Sequence, residues 1–78
     1  MGIETVKAIK RIVVATEDQG NTKALYVDDC LITCDETIYA SEIAHEADGE
    51  PALIIHRLVT LPDGEEFPKS ESQLKDHE

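Results

Sequence analysis

The sequence predicts a small α+β domain, in which one helix packs on an antiparallel sheet of about four strands. Three observations predict this fold class. Residues 6–16 and 52–61 are rich in β-branched and other apolar side chains, and residues 25–32 form two short apolar runs around a pair of aspartates. After residue 33 the apolar spacing changes from every second residue to the spacing of a helix. With 78 residues, the chain has room for one domain.

Residues 6–16 predict the first strand. Its beginning carries three bases, Lys7, Lys10 and Arg11, whereas both faces are apolar over residues 12–15. A strand that is apolar on both faces indicates a central position in a sheet or a contact with another copy of the chain. The three bases are typical of a solvent-exposed strand start, and an anion-binding patch is the alternative.

After a polar turn over residues 17–22, a hairpin is predicted around Asp28 and Asp29. Short apolar runs lie on both sides of the two aspartates, and aspartate tolerates the positive φ values of tight hairpin turns. The alternative is a single longer strand in which the two acids occupy a bulge or point to solvent. In both cases their side chains are expected to be exposed.

A helix is predicted over residues 36–47. Asp35 is a suitable N-cap, Glu36 places negative charge in the first turn, and Asp48-Gly49 is a suitable C-terminal stop. One side of this helix would be apolar, formed by Tyr39, Ala40, Ile43, Ala44 and Ala47.

A further strand is the alternative for the same residues. Thr37, Ile38 and Tyr39 favour strands, and Ile38 falls on the polar side of the predicted helix. With a strand here, the domain would be an all-β meander or a small barrel. The spacing of the apolar residues and the agreement of the start and stop signals favour the helix.

Residues 52–61 predict a second long strand, which we expect to pair with the first. Pro62, Asp63 and Gly64 then form a strong turn signal. The predicted compact domain therefore covers residues 1–64. Residues 65–78 are mostly polar and predict a mobile C-terminal tail, in which Phe67 is the residue able to fold back as an anchor.

Charge limits the kinds of partner. The net charge is −10, and it is uneven: residues 1–23 carry four bases and three acids, whereas residues 24–78 carry three bases and fourteen acids. An acidic surface repels nucleic acid and anionic membranes and attracts basic protein surfaces. A direct nucleic-acid reader is therefore disfavoured. Solubility alone is the simpler explanation of the charge.

Cys30 and Cys34 are the two cysteines, and the N-terminus lacks the pattern of a secretion signal. We therefore expect a cytoplasmic protein in which both cysteines are packing residues. No apolar run reaches the roughly 20 residues that span a bilayer, so no membrane association is expected.

Catalytic and metal motifs are incomplete. Cys30 and Cys34 do not have the spacing of a zinc knuckle, and the acids near Asp28 do not match a calcium-binding loop. Cys34 with His45 or His56 would supply a nucleophile and a base, but no motif brings them together. We therefore expect neither an enzyme nor a bound cofactor or metal.

The leading hypothesis is a non-enzymatic binding protein that blocks a basic, nucleic-acid-binding site on a larger protein by charge mimicry. Its support is a 23-residue stretch that holds eight acids and no lysine or arginine. Carboxylates at such density can imitate the phosphates of a nucleic acid. In size and charge, the chain is similar to small acidic inhibitors that phages encode. The predicted partner-binding residues are Asp28, Asp29, Asp35, Glu36, Glu42, Glu46, Asp48 and Glu50.

The alternative hypothesis is a homo-oligomer, such as a dimer, that binds a small ligand or nucleotide at the junctions between subunits. The two long strands would mediate assembly, because both have apolar residues on two faces. The anion would be bound by the basic residues Lys7, Lys10, Arg11 and Arg57.

Overall fold

The computed structural model of the chain describes residues 9–20, 22–61 and 65–76. The domain is α+β, as predicted, with one helix packed on a five-stranded mixed sheet. A single 3₁₀ turn at Glu71–Gln73 precedes the last strand. In chain order the elements are β1 (Lys10–Glu17), β2 (Lys23–Val27), β3 (Cys30–Asp35), α1 (Ala40–Ala47), β4 (Ala52–Thr60) and β5 (Lys75–Asp76).

The strands lie in the order β3-β2-β1-β4-β5, with β1 in the centre. The two long strands pair with each other, as predicted. They are parallel, however, so the prediction of a wholly antiparallel sheet was wrong. The physical reason is the connection: after β3 the chain crosses the sheet through α1 and enters β4 in the direction of β1, which a tight hairpin cannot achieve.

The predicted hairpin is confirmed. β2 and β3 are antiparallel, and the two residues between them, Asp28 and Asp29, have φ values of 48° and 75°. Positive φ at both central residues is the geometry that matches the twist of a two-residue hairpin. Aspartate adopts this conformation more easily than most residues, which explains why the pair lies here.

The helix is shorter than predicted. It begins at Ala40 rather than at residue 36, and Asp35 is the last residue of β3, so Asp35 is not its N-cap. The N-cap is Tyr39, whose N–H donates to Oε2 of Glu42 at 2.7 Å. Tyr39 is in the extended conformation, and Thr37 and Ile38 lie outside both the helix and the strands. Tyr39 is 64% exposed.

One face of the sheet packs against the helix side. Ile12, Val14 and Leu25 are buried there, and Ile38 and Ile43 pack against them. Ile38, which lay on the polar side of the predicted longer helix, contacts the core because it precedes the shorter one. The helix thus covers the middle of the sheet.

The other face packs against residues 65–76. Val13, Tyr26 and Val59 are fully buried on this face, and Phe67 and Leu74 cover them. The sequence-based boundary placed these last residues outside the compact domain as a polar tail. Their few apolar side chains nevertheless fill a core layer, because a sheet that is apolar on both faces needs cover on both sides.

Tyr26 links this cover to the sheet. Its hydroxyl donates to the carbonyl oxygen of Pro68 at 2.6 Å, and its pKa is raised to about 12, chiefly by burial and further by the negative charges of Cys34 and Glu71. The neutral phenol is therefore favoured in the folded state. Its contribution to stability is present below pH 10 and is lost as the pH rises towards about 12.

We predict that Tyr26→Phe lowers the free energy of unfolding at pH 7 by about 1–2 kcal/mol, because the carbonyl of Pro68 loses its donor. The variant should also lose the Tyr26 part of the alkaline destabilisation, about 2 kcal/mol between pH 10 and 12. Urea unfolding at pH 7, 10 and 11.5 measures both effects. An unchanged alkaline profile in Tyr26→Phe would contradict the assignment of the high pKa to Tyr26.

Candidate functional site

The fold divides the eight predicted partner-binding acids into two groups. Two of them, Asp28 and Asp29, form the β2–β3 turn. The other six lie on α1 or on the segments that lead into and out of it: Asp35, Glu36, Glu42, Glu46, Asp48 and Glu50.

The two turn acids make internal hydrogen bonds. Oδ1 of Asp28 accepts the backbone N–H of Arg11 at 2.9 Å, and Oδ1 of Asp29 accepts the backbone N–H of Ser72 at 2.8 Å. The carbonyl of Asp29 also accepts the N–H of Glu71 at 3.0 Å. Both side chains are exposed, as predicted, but they also fix the turn against β1 and the C-terminal segment.

The acids at the two ends of the helix have local backbone roles as well. Oδ1 of Asp35 accepts the N–H of Glu36 at 2.7 Å. Asp48, with a φ of 51°, ends the helix in the left-handed conformation and donates its N–H to the carbonyl of Ala44. The N–H of Glu50 donates to the carbonyl of Ala47. All four side chains are exposed, so their charge reaches solvent.

A cleft of about 300 Å³ lies between α1 and the β2–β3 hairpin. Leu25, which is 1% exposed, and Ile32, which is 46% exposed, give it an apolar floor. The helix contributes the rim, with the half-buried carboxylates of Glu42 and Glu46. The complete lining is Leu25, Ile32, Thr33, Ser41, Glu42, His45 and Glu46.

The rim carboxylates have little internal compensation. One oxygen of Glu42 caps the helix, and among the described residues neither Glu42 nor Glu46 forms a salt bridge. Lys10 approaches this side, but its Nζ donates to the backbone carbonyl of Glu46 at 2.7 Å rather than to a carboxylate. The cleft thus combines an apolar floor with two negative charges.

Comparisons of the chain with protein-family models, curated proteins and solved structures found no match. The interpretation of the cleft therefore depends on its own geometry. Within the described ranges, no helix is long and apolar enough to cross a membrane.

The three described residues proposed for an anion site, Lys10, Arg11 and Arg57, are engaged elsewhere. Arg11 donates to both carboxylate oxygens of Glu71, at 2.8 and 3.0 Å, and Arg57 donates to the same carboxylate at 2.8 Å. Arg57 also contacts Asp76 at 2.8 Å. An anion at these guanidinium groups would have to displace carboxylates that already occupy them. Lys7 lies outside the described residues.

Glu71 is the residue that sequence reasoning missed. It is 7% exposed, and its pKa is lowered, chiefly by the hydrogen bonds from Arg11 and further by the charges of Arg11 and Arg57, against the opposing effect of burial. Its one sequence signal was its position between Phe67 and Leu74, the two apolar residues of the segment. That signal is weak, since the rest of the segment is polar.

The residues considered for nucleophilic catalysis are not brought together. Cys34 lines a second cleft of about 420 Å³ with Leu31 and Phe67, on the face opposite α1. His45 lies on α1, and His56 lies on β4 beyond β1 and β2. Partial burial raises the pKa of the Cys34 thiol, and the charge of Glu66 raises it further.

Metal ligands do not converge in the part of the chain that the structure describes. No group of three or more histidine, cysteine, aspartate or glutamate side chains there could hold a metal ion. Cys30 and Cys34 are both exposed free thiols, so the prediction that both are packing residues was wrong. Carboxylates line both the α1 cleft and the second cleft, where they belong to Glu17, Glu65 and Glu66. The α1 cleft is the one that lies among the acids predicted for partner binding.

Proposed function

We propose that this protein is a non-enzymatic interaction protein, which docks its α1 side on a basic, nucleic-acid-binding surface of a larger protein and thereby blocks that surface. The observation that carries the proposal is the α1 cleft, where Glu42 and Glu46 stand over the apolar floor of Leu25 and Ile32. A charged rim over an apolar floor suits a long basic side chain better than a small anion or a wholly apolar group.

A lysine or arginine from the partner would satisfy both parts of the cleft. Its aliphatic stem would pack on Ile32, and its cationic head would reach the carboxylates of Glu42 and Glu46. An arginine can donate two parallel hydrogen bonds to a carboxylate, which adds geometric selectivity to the charge. The cleft would thus supply the specific contact of the interface.

The surrounding acids would supply the long-range part of the interaction. The α1 side carries six acids. Two bases, Lys10 and Lys23, reach this region, where their amino groups donate to the backbone carbonyls of Glu46 and Glu36. A surface with this excess of negative charge attracts a basic groove and competes with the phosphates that the groove normally binds. Salt should weaken the complex, because screening shortens the range of the attraction.

The direct test uses a nona-arginine peptide as a model of a basic surface. We predict that Glu42→Gln/Glu46→Gln raises the Kd for this peptide about tenfold at low salt, since each lost ion contact at a half-exposed site contributes about 0.5–1 kcal/mol. Isothermal titration calorimetry gives the Kd, and NMR shifts of the labelled protein locate the peptide. Glutamine at residue 42 can still accept the N–H of Tyr39, so the helix start is preserved.

The matched control is Glu65→Gln/Glu66→Gln, which alters the net charge by the same two units on the opposite face. This control should change the Kd by no more than about twofold, because its carboxylates lie away from the cleft. Because Glu65 and Glu66 line the second cleft, equal weakening by both pairs would mean that the α1 cleft does not bind the peptide selectively. That result would remove the basis of the proposal.

The natural partner can then be sought by affinity capture at low salt, with Glu42→Gln/Glu46→Gln as the negative bait. A captured protein supports the proposal when the wild-type chain, but not this variant, displaces nucleic acid from it. Capture that persists at 0.5 M salt with both baits would contradict the electrostatic mechanism.

A further inference from the structure

Among the described residues, the outer edge of β4 is open along most of its length. β5 pairs with β4 at Val59 and Thr60 alone, whereas β4 begins at Ala52. In the described part of the chain, no other strand lies beside residues 52–58 on that side. This edge therefore presents backbone hydrogen-bonding groups to solvent.

The direction of these groups follows from the pairing with β1. The carbonyl of Val59 accepts the N–H of Asp18, the residue that follows β1. The backbone N–H and carbonyl of Val59 therefore point towards β1, and not towards the outer edge. Backbone groups alternate in direction along a strand. The residues that direct both their N–H and their carbonyl outward along residues 52–58 are consequently Ala52, Ile54, His56 and Leu58.

The side chains along this edge do not protect it. Leu53, Ile54 and Leu58 are 53%, 48% and 50% exposed, and residues 51–62 contain no acid in a chain that has seventeen. In proteins that stay monomeric, charges, prolines or bulges within an edge strand usually prevent it from pairing with another chain. Residues 52–58 hold one formal charge, on Arg57, which is already paired with Glu71 and Asp76.

The opposite edge of the sheet, at β3, is protected against pairing with another strand. At β3, the N–H of Leu31 donates to the carbonyl of Lys69, and Cys30 pairs with Ser70. The β2–β3 pairing contains a register shift, and β3 ends at Asp35. Of the two sheet edges, the β4 edge is therefore the one suited to strand addition.

We propose that β4 of a second copy pairs antiparallel with this edge, with the two-fold axis at Ile55, and so joins two sheets into one. The open part of the edge covers residues 52–58, because β4 begins at residue 52 and β5 pairs with β4 from Val59 onward. Ile55 is the midpoint of this open part. This register pairs Ile54 with the partner's His56 and Ala52 with the partner's Leu58. An axis at His56 would instead bring the second strand against β5 at Val59.

This register leaves no outward backbone group of residues 52–58 unpaired. The four outward residues of one copy face the four outward residues of the other, which gives four hydrogen-bonded pairs. Each pair exchanges two backbone hydrogen bonds, so eight hydrogen bonds form between the two strands. Ile55 meets its own counterpart at a pair without backbone hydrogen bonds, where the Cα atoms are about 4.5 Å apart. The interface is isologous, as a closed dimer requires.

Charge decides between a second copy and a basic partner at this edge. A basic partner finds no carboxylate within residues 51–62, whereas a second copy brings an equally apolar strand. Two chains of charge −10 repel each other at long range, so salt should strengthen the dimer. This is the opposite of the salt effect expected for binding at the α1 cleft. The dimer is therefore independent of the proposed function, and either can fail without the other.

Sedimentation equilibrium of the full chain tests the assembly. A seven-residue strand pair is a small interface, under about 1,200 Å², so we expect a reversible dimer with a micromolar Kd that tightens severalfold from 50 to 500 mM salt. Ile54→Lys should raise this Kd at least about tenfold, because it buries a charge beside the partner strand. The control Ile32→Lys, at a residue that is 46% exposed on β3, should leave the Kd unchanged.

A chain that stays monomeric at 1 mM at both salt concentrations would overturn the proposal and leave the edge to a strand of another protein. Weakening by Ile32→Lys but not by Ile54→Lys would place the contact on the β3 edge and would overturn it as well.

Disulfide trapping tests the register. In a Cys30→Ser/Cys34→Ser background, Ile55→Cys places two thiols opposite each other across the axis, within the Cα spacing that a disulfide requires. Leu53→Cys is the control: Leu53 is 53% exposed, but it faces the partner's Arg57, and the two introduced thiols lie about 13 Å apart. Rapid oxidation to a covalent dimer with Ile55→Cys alone supports the axis at Ile55. Equal oxidation of both variants would overturn this register.

Discussion

Replacing Phe67 by alanine is expected to lower the free energy of unfolding by about 3–5 kcal/mol, one of the largest effects of any single substitution in this chain. Phe67 is 7% exposed and packs on the layer that contains Val13, Tyr26 and Val59. In so small a domain the total stability is on the order of 5 kcal/mol, so the variant should be partly unfolded at 25 °C. Urea unfolding followed by circular dichroism measures the loss.

The control for Phe67→Ala is Ile32→Ala, at an apolar residue that is 46% exposed. Its cost should stay below about 1 kcal/mol, because little buried surface is removed. If Phe67→Ala were as stable as this control, the C-terminal segment would not form the second cover of the sheet. The sequence-based prediction of a mobile tail over residues 65–78 would then describe the protein better.

Glu71→Gln is expected to lower the free energy of unfolding at pH 7 by about 2–3 kcal/mol. Removing one partner of a buried ion pair costs about 3–5 kcal/mol, and the 45% exposure of the Arg11 side chain reduces that figure. The substitution should affect Arg57 more than Arg11, because the Arg57 side chain is only 18% exposed and would lose a carboxylate that it contacts at 2.8 Å. Urea unfolding at pH 7 measures the effect.

The same carboxylate predicts an acid dependence. The pKa of Glu71 is lowered from its usual 4.5, so its contribution to stability is fully present above that pH and is lost as the pH falls through the lower folded value. Glu71→Gln should lack this component when unfolding is compared at pH 5 and pH 3. Asp76→Asn, at a carboxylate that is 69% exposed and also contacts Arg57, should cost less than about 1 kcal/mol. Equal losses for the two variants would contradict the central role of Glu71.

The candidate site was partly predictable from the sequence. The excess of acids between Asp28 and Glu50 is visible without a structure, and it predicts a basic partner. Which acids flank a cleft is not visible, because that depends on where the helix begins and how it lies on the sheet. The start at Ala40 is what leaves Glu42 and Glu46 on the rim and Asp35 at the end of a strand.

The contacts of the basic residues, in contrast, were not predictable from the sequence. The alternative hypothesis placed an anion site at Lys7, Lys10, Arg11 and Arg57. Arg11 and Glu71 are 60 residues apart in the chain, and no local pattern indicates that they meet. Their contact exists because the C-terminal segment folds back over the sheet, which is a consequence of long-range packing.

By itself, the sequence determined the α+β class, the two long strands, the turn at Asp28 and Asp29, and the acidic surface. Each of these depends on local preferences or on composition, which are properties of neighbouring residues. The tertiary structure alone decided that β1 and β4 run parallel, that residues 65–76 cover one face, and that no described strand lies along most of the outer edge of β4. These features depend on which surfaces remain to be covered once the strands have paired, and no single segment encodes that.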